Sequence, residues 1–255
     1  FQLEKIGNQL ALKTHGTVLR INMNNLAHNL KIYRAMLNPG VKTMAMVKAF
    51  SYGSGQAEIA RLLANQRVDY LAVAYADEGA DLRRQGIRLP IMVMNPEPET
   101  FDQLKQYQLE PEIYSIEILN AFIQSIGKED ASIHIKIDTG MHRLGFVEND
   151  IPELLVLLKS HQHIRVASIF SHLAGADENK HDNFSEHQIT LFNKIASSIQ
   201  TTLGYQPLRH ILNSSGILRF SEAQFDMVRL GIGLYGFAST NNEQQQLQHV
   251  ATLKT

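Results

Sequence analysis

The chain has 255 residues, 44% of them hydrophobic, and sets Lys+Arg 24 against Asp+Glu 25 for a formal net charge of -1. That length accommodates one large domain with a well-buried core, and a charge so near zero supplies no global field to draw in nucleic acid or an anionic membrane. The absence of cysteine excludes disulfides, thiolate nucleophiles and thiolate metal sites, and no apolar run approaches the roughly 18 residues of a membrane span.

Residues 1–16 read as a linker or the end of an upstream segment, since the chain opens on Phe1 and not on methionine. The cytoplasm is the default compartment, for want of a signal peptide pattern. From there, strand-like runs fall at 17–22 (TVLRIN), 42–48, 69–74, 89–94, 109–114 (LEPEIY), 132–138 (SIHIKID), 164–170, 209–213 and 225–231. Segments of helical period lie between them, at about 24–37, 55–66, 76–85, 98–107, 115–126, 151–160, 183–203 and 214–221. Strands alternating with helices predict parallel βαβ units. Eight such strands follow the first run, with short connections, which favours a (β/α)8 TIM barrel spanning 17–240 over an open doubly wound sheet. No GxGxxG follows an early strand, which weakens the dinucleotide-binding alternative.

In a barrel the chemistry sits at the C-terminal ends of the strands. The run "TMAMVKAFSYGSG" ends on Lys48, and its glycines allow Tyr52 to approach a ligand phosphate; the competing reading is a lysine snorkelling to solvent. In "SIHIKIDTGMHRLG" the isoleucines 133, 135 and 137 alternate with His134, Lys136 and Asp138. On an edge strand that is a solvated face, whereas in a barrel the ionisable set points inward, where charge must be paired or used. Arg143 follows on the glycine turn. "IFSHLAGADE" puts His172 at another strand end, as a structural or a catalytic residue. His172, His181 and His187 beside Asp177 and Glu178 have spacings that match no compact metal motif, so no metal is expected. "ILNSSG" places Asn213, Ser214 and Ser215 at a helix start, as phosphate holders or ordinary caps. "MVRLGIGLYG" carries Arg229 inside an apolar strand, where it needs an acceptor.

Taken in order, "MVKAFSYGSG", "KIDTGMHRLGF", "SHLAGADE", "NSSG" and "MVRLGIGLYG" resemble the signature of the alanine racemases, fold type III enzymes that use pyridoxal 5'-phosphate. The resemblance runs from about Thr17 beyond Tyr235; "FSYGSG" stands where family members commonly have "NAYGHG". It implies that Lys48 forms the Schiff base with the cofactor and serves as the base on the D-alanine side. Tyr52, Ser214 and the amides of Gly231 and Ile232 then hold the phosphate, with Asn213 beside them. It further implies that Arg229 faces the pyridine nitrogen, that His172 lies against the ring and bonds to Arg229, and that Arg143 lies near the phenolic oxygen and the substrate carboxylate. Lys136 matches a lysine carbamylated in many members, where the new negative charge steadies Arg143.

The implied activity is interconversion of L- and D-alanine, supplying D-alanine for peptidoglycan, by a homodimer. The family's second base is a tyrosine in a C-terminal β domain, acting on the partner's cofactor. Residues 241–255 read as the start of that domain, truncated here, so this chain is expected to be weak or inactive alone. A ligase of cell-wall precursor synthesis fused upstream is a further expectation. Two alternatives share the barrel: a non-catalytic pyridoxal-phosphate carrier, and a decarboxylase, which Arg229 disfavours because those enzymes place an acid opposite the pyridine nitrogen.

Overall fold

The computed structural model describes residues 16–255, so the linker expected over 1–16 lies outside the described residues but for Gly16. Its first half runs β1 (Val18–Ile21), α1 (Met23–Ala35), β2 (Lys42–Met46), a one-turn helix α2 (Lys48–Gly53), α3 (Ala57–Asn65), β3 (Tyr70–Val73), α4 (Ala76–Arg84), β4 (Ile91–Val93), α5 (Phe101–Gln106) and β5 (Glu110–Ile113). Then follow α6 (Ile116–Ile126), β6 (Ala131–Lys136), α7 (Ile151–Ser160), β7 (Ile164–Phe170), α8 (Asp182–Leu203), β8 (Leu208–His210), α9 (Ser214–Arg219), β9 (Met227–Leu230), α10 (Asn241–Gln244) and β10 (Ala251–Lys254). Local chemistry sets the helix ends. Asn22 caps α1 by accepting from the amides of Asn24 and Asn25, Ser115 caps α6, and α8 stops at Gly204 in the left-handed conformation.

Eight strands pair in parallel in the order β8-β7-β6-β5-β4-β3-β2-β9. The seam between β8 and β9 is bridged by Asp226 N donating to Arg209 O at 3.1 Å and Arg229 N donating to Leu212 O at 3.0 Å. The architecture is a (β/α)8 barrel. Strand β1 stays outside it and pairs antiparallel with β10, Val18 opposite Lys254.

The period-2 pattern divides the interior into two cores. Ile133, Ile135 and Ile137 point outward into the layer between strands and helices, together with Ala45, Leu71, Val73 and Ile113. Each fully buried isoleucine there contributes about 1.5–3 kcal/mol of apolar transfer. The alternate residues turn inward: Met44, Met46, Ala72, Met92, Phe170 and Met227 form a smaller core inside the barrel. The remaining inward positions carry Glu112, His134, Lys136, Ser168, His210 and Arg229, all buried. The alternation that predicts an inward Asp138 breaks at the end of β6. Asp138 does not join the interior set, because its carboxylate turns back on its own loop to accept from the amides of Gly140 at 2.9 Å and His142 at 3.1 Å.

Candidate active site

The strand predicted over 42–48 ends early, at Met46, and Lys48 opens α2 instead. Ala49, Phe50, Ser51 and Tyr52 all have φ between 50 and 55°, so α2 is a left-handed turn built without glycine until Gly53. Such a turn costs non-glycine residues roughly 1–2 kcal/mol each. Glu78 of α4 holds it in place: one carboxylate oxygen accepts from Ala49 N at 2.6 Å, the other from Ala74 N at 2.6 Å. The turn directs Lys48 towards the mouth of the barrel, where the charges of Arg143, Glu112 and Arg229 act on it. Burial, and then Arg143, lower its pKa from the ordinary lysine value.

The same turn brings Tyr52 across to the β9 end. Its ring centroid lies 4.9 Å from that of Tyr235, and burial raises its phenol pKa. A Cβ built on Gly231 falls 2.9 Å from the Tyr52 hydroxyl, so a larger residue there would displace the tyrosine from this position. Ser214 Oγ accepts from Gly231 N at 3.0 Å and Gly233 N at 3.3 Å. Asn213 is occupied as a cap, its side chain accepting from Gly216 N at 2.9 Å. Ile232 is partly exposed between the two glycines. Tyr52, Ser214, Gly231 and Ile232 therefore meet at one place on the rim.

Arg229 lies beneath them, fully buried and held on both arms. Nη1 donates to His210 Nδ1 at 2.7 Å; Nη2 donates to Ser171 O at 2.7 Å, to His172 Nδ1 at 3.1 Å and to Ile211 O at 3.1 Å. Burial lowers its pKa to about 10, against which Glu112 pulls upward, so it stays charged near neutrality. Burial and the neighbouring Arg229 charge hold His172 and His210 well below the ordinary histidine value, and both are neutral. The His210 ring continues a chain through the interior: Nε2 lies 2.8 Å from Ser168 Oγ, which is 2.7 Å from His134 Nδ1, whose Nε2 is 2.9 Å from Glu110 Oε2.

Lys136 sits on the opposite wall, its Nζ 3.8 Å from Glu112 Oε1 and 4.4 Å from the Phe170 ring centroid. Burial lowers its pKa to about 8. Arg143 stands exposed on the loop after β6, and its charge reaches Lys48, Lys136 and His172. That loop is clamped at its base, where Asp138 N donates to Phe146 O at 3.0 Å and Phe146 N to Lys136 O at 2.9 Å. Among the described residues no three His, Asp or Glu side chains group as a metal site would need. A cavity of about 880 Å³ opens at the other end of the strands, beside Glu110, Glu129 and Arg165; it is remote from the Lys48 cluster, and the convergence of ionisable groups outweighs its size as a sign of chemistry.

The alanine racemase N-terminal domain family matches residues 21–239. The chain belongs to that family. It is 36% identical over 225 residues to the alanine racemase of Treponema denticola, covering 86% of this chain and 59% of the relative. To the alanine racemase of Clostridium novyi it is 35% identical over 246 residues, covering 92% and 62%. Among solved structures, the alanine racemase of Clostridium difficile 630 superposes with a TM-score of 0.86 at 33% identity, covering 94% of this chain and 64% of that one. The chain thus spans about three fifths of the length of these family members.

The structure brings Lys48, Tyr52, Ser214, Gly231, Ile232, Arg229 and His172 to one end of the barrel, with Arg143 exposed on its loop. Reading the sequence missed Glu112, His210, Ser168 and Glu78. A signal for Glu112 was present: Glu110 and Glu112 alternate with Leu109, Pro111 and Ile113 in the manner of the β6 strand. Glu78 reads locally as a helix-start residue, accepting from the amides of Ala74 and Tyr75, but its bond to Ala49 N in α2 joins residues some thirty positions apart.

Proposed function

We propose that this chain is the cofactor-binding barrel of an alanine racemase, interconverting L- and D-alanine with pyridoxal 5'-phosphate. The observation that carries this reading is Lys48, delivered by the left-handed turn to the mouth of the barrel, where burial and then Arg143 lower the pKa of its amine. A neutral amine is the nucleophile that a cofactor aldehyde needs, and afterwards the base that takes a proton from Cα.

The residues present fit the cofactor. Tyr52 lies close over Gly231, and Tyr52, Ser214 and the amides of Gly231 and Ile232 would hold the phosphate. Arg229 would face the ring nitrogen, with His172 against the ring and Arg143 towards the substrate carboxylate. When bound, pyridoxal phosphate supplies an electron sink that acidifies the substrate Cα–H. Arg229 stays a donor because its arms are fixed by His210, His172 and two carbonyls, so it withholds a proton from whatever it faces. Lys48 moves the proton on one face of the substrate. The second acid would come from a β domain, towards which the β1–β10 ribbon and residues 241–255 lead, while the barrel proper runs from β2 to β9. A homodimer and a cytoplasmic role in D-alanine supply for peptidoglycan complete the proposal.

Borohydride reduction of the pyridoxal-phosphate-loaded chain, followed by peptide mapping, should place the label on the peptide containing Lys48, and Lys48→Ala should lose it. Label on another lysine would sink the assignment. Solvent deuterium exchange at Cα of alanine, followed beside L/D interconversion, then separates one-base from two-base behaviour.

A further inference from the structure

We propose that Glu112 is the resident anion of this barrel, a positioning residue that keeps Lys136 an unmodified ammonium and supplies the negative charge that a lysine carbamate would otherwise bring. The assignment of Arg143 as its beneficiary rests on the racemase reading; the chemical state of Lys136 does not.

Glu112 on β5 pairs with His134 on β6, which places its side chain in the barrel interior beside Lys136. Glu112 is 1% exposed and Lys136 4%, with Oε1 and Nζ 3.8 Å apart. Burial raises the Glu112 carboxyl pKa, and the neighbouring charges of Lys136, Arg229 and Arg143 act against that and favour the carboxylate. Glu110, the other interior carboxylate on this strand, is engaged by His134 at the far end. Glu112 is therefore the carboxylate set among Lys136, Arg229 and Arg143. Its second oxygen, Oε2, is buried and has no hydrogen-bond partner among the described residues, so it retains acceptor capacity for a cation at the mouth.

Lys136 is also placed as a cation should be. Its Nζ stands 4.4 Å from the Phe170 ring centroid, over the negative face of the ring. Carbamylation would need the neutral amine to attack the carbon of CO2; the N–C bond forms, one C=O electron pair moves to oxygen, and the nitrogen's proton leaves to solvent. The group would then carry a negative charge where it had carried a positive one. Beside Glu112 and over Phe170 that reversal turns two attractions into two repulsions, which oppose the pull of Arg229 and Arg143 on the new anion. Burial lowers the Lys136 pKa to about 8, and Glu112 is the neighbour that most pulls it back up and so favours the ammonium.

The test is carbon-13 NMR of the chain in labelled bicarbonate, which needs no cofactor. Wild type should show no carbamate resonance, Glu112→Asp should show none, and Glu112→Gln should show one that disappears in the Glu112→Gln/Lys136→Ala double variant. Should Glu112→Gln fail to fold, Glu112→Thr removes the charge with a residue suited to a strand. In the holoenzyme, bicarbonate should raise the activity of the neutral variant and leave wild type unchanged. A Lys136 carbamate in wild type would overturn the proposal. So would its absence from every folded neutral variant, since Glu112 would then not be what excludes it. Because the NMR readout is independent of turnover, these outcomes stay distinct from failure of the racemase reading.

Discussion

Replacing Glu78 with alanine should loosen the turn that carries Lys48. Four residues there are held left-handed at roughly 1–2 kcal/mol each, and the carboxylate that ties the turn to α4 accepts from Ala49 N and Ala74 N at 2.6 Å, with Tyr75 N at 3.3 Å. Hydrogen bonds to a charged group contribute about 1.5–3 kcal/mol each. Glu78 is only half-buried, so water will replace part of that. The net loss should be about 2–3 kcal/mol, which lowers Tm by roughly 4–12 °C for a domain of this size. The loss should be local first. Hydrogen exchange at the Ala49 amide should speed up more than at the β6 core, and the affinity for pyridoxal phosphate, followed by fluorescence titration, should fall while Glu78→Gln keeps part of both. If Glu78→Ala leaves Ala49 exchange and cofactor affinity unchanged, the turn is held by its own backbone bonds and the reasoning fails.

Acid should destabilise the fold through its buried histidines. His172 and His210 have pKa values depressed by burial and by Arg229, so the unfolded chain binds protons that the folded one refuses. Their contribution to stability is complete above the unfolded value near 6.5 and is lost as pH falls, by up to about 1.4 kcal/mol per pH unit for each histidine. Urea midpoints between pH 7.5 and 5 should fall accordingly, and a His210→Asn variant should show a shallower slope. Gly145→Ala should cost roughly 2–5 kcal/mol, because a Cβ at φ +133° would lie 2.5 Å from Asp138 N, backbone that cannot step aside; an unchanged melting curve would contradict the clamp at the base of the Arg143 loop.

The barrel was legible because its signal is a period. Alternation in β6 announced which side faces the helices, and the isoleucines obey it. Strand ends were less legible: β2 stops at Met46 although the apolar run continues to Val47, because the left-handed turn depends on Glu78, a partner distant in sequence. Asp138 continued the alternation on paper, yet the nearby amides of Gly140 and His142 captured it. Individual strand ends showed where chemistry belongs. They did not show which charges meet, since Glu112 and Lys136 come together only when β5 and β6 are in register.

The polar chain across the interior has a direction, and Arg229 sets it. A guanidinium only donates, so His210 Nδ1 must accept, which puts the proton on His210 Nε2 and sends it to Ser168. Ser168 already accepts from His210, and its own hydroxyl proton is satisfied by His134 Nδ1. His134 then carries its proton on Nε2 and gives it to Glu110. A protonated His134 would point a second donor at Ser168 and leave the serine proton with no acceptor in this chain of contacts, a buried loss of about 1–3 kcal/mol. Each member is thus held in one tautomer, and the positive charge at the mouth of the barrel is linked through aligned dipoles to a carboxylate at its far end. Arg229 is thereby fixed as a donor by residues on β5, β6, β7 and β8 that lie below the rim.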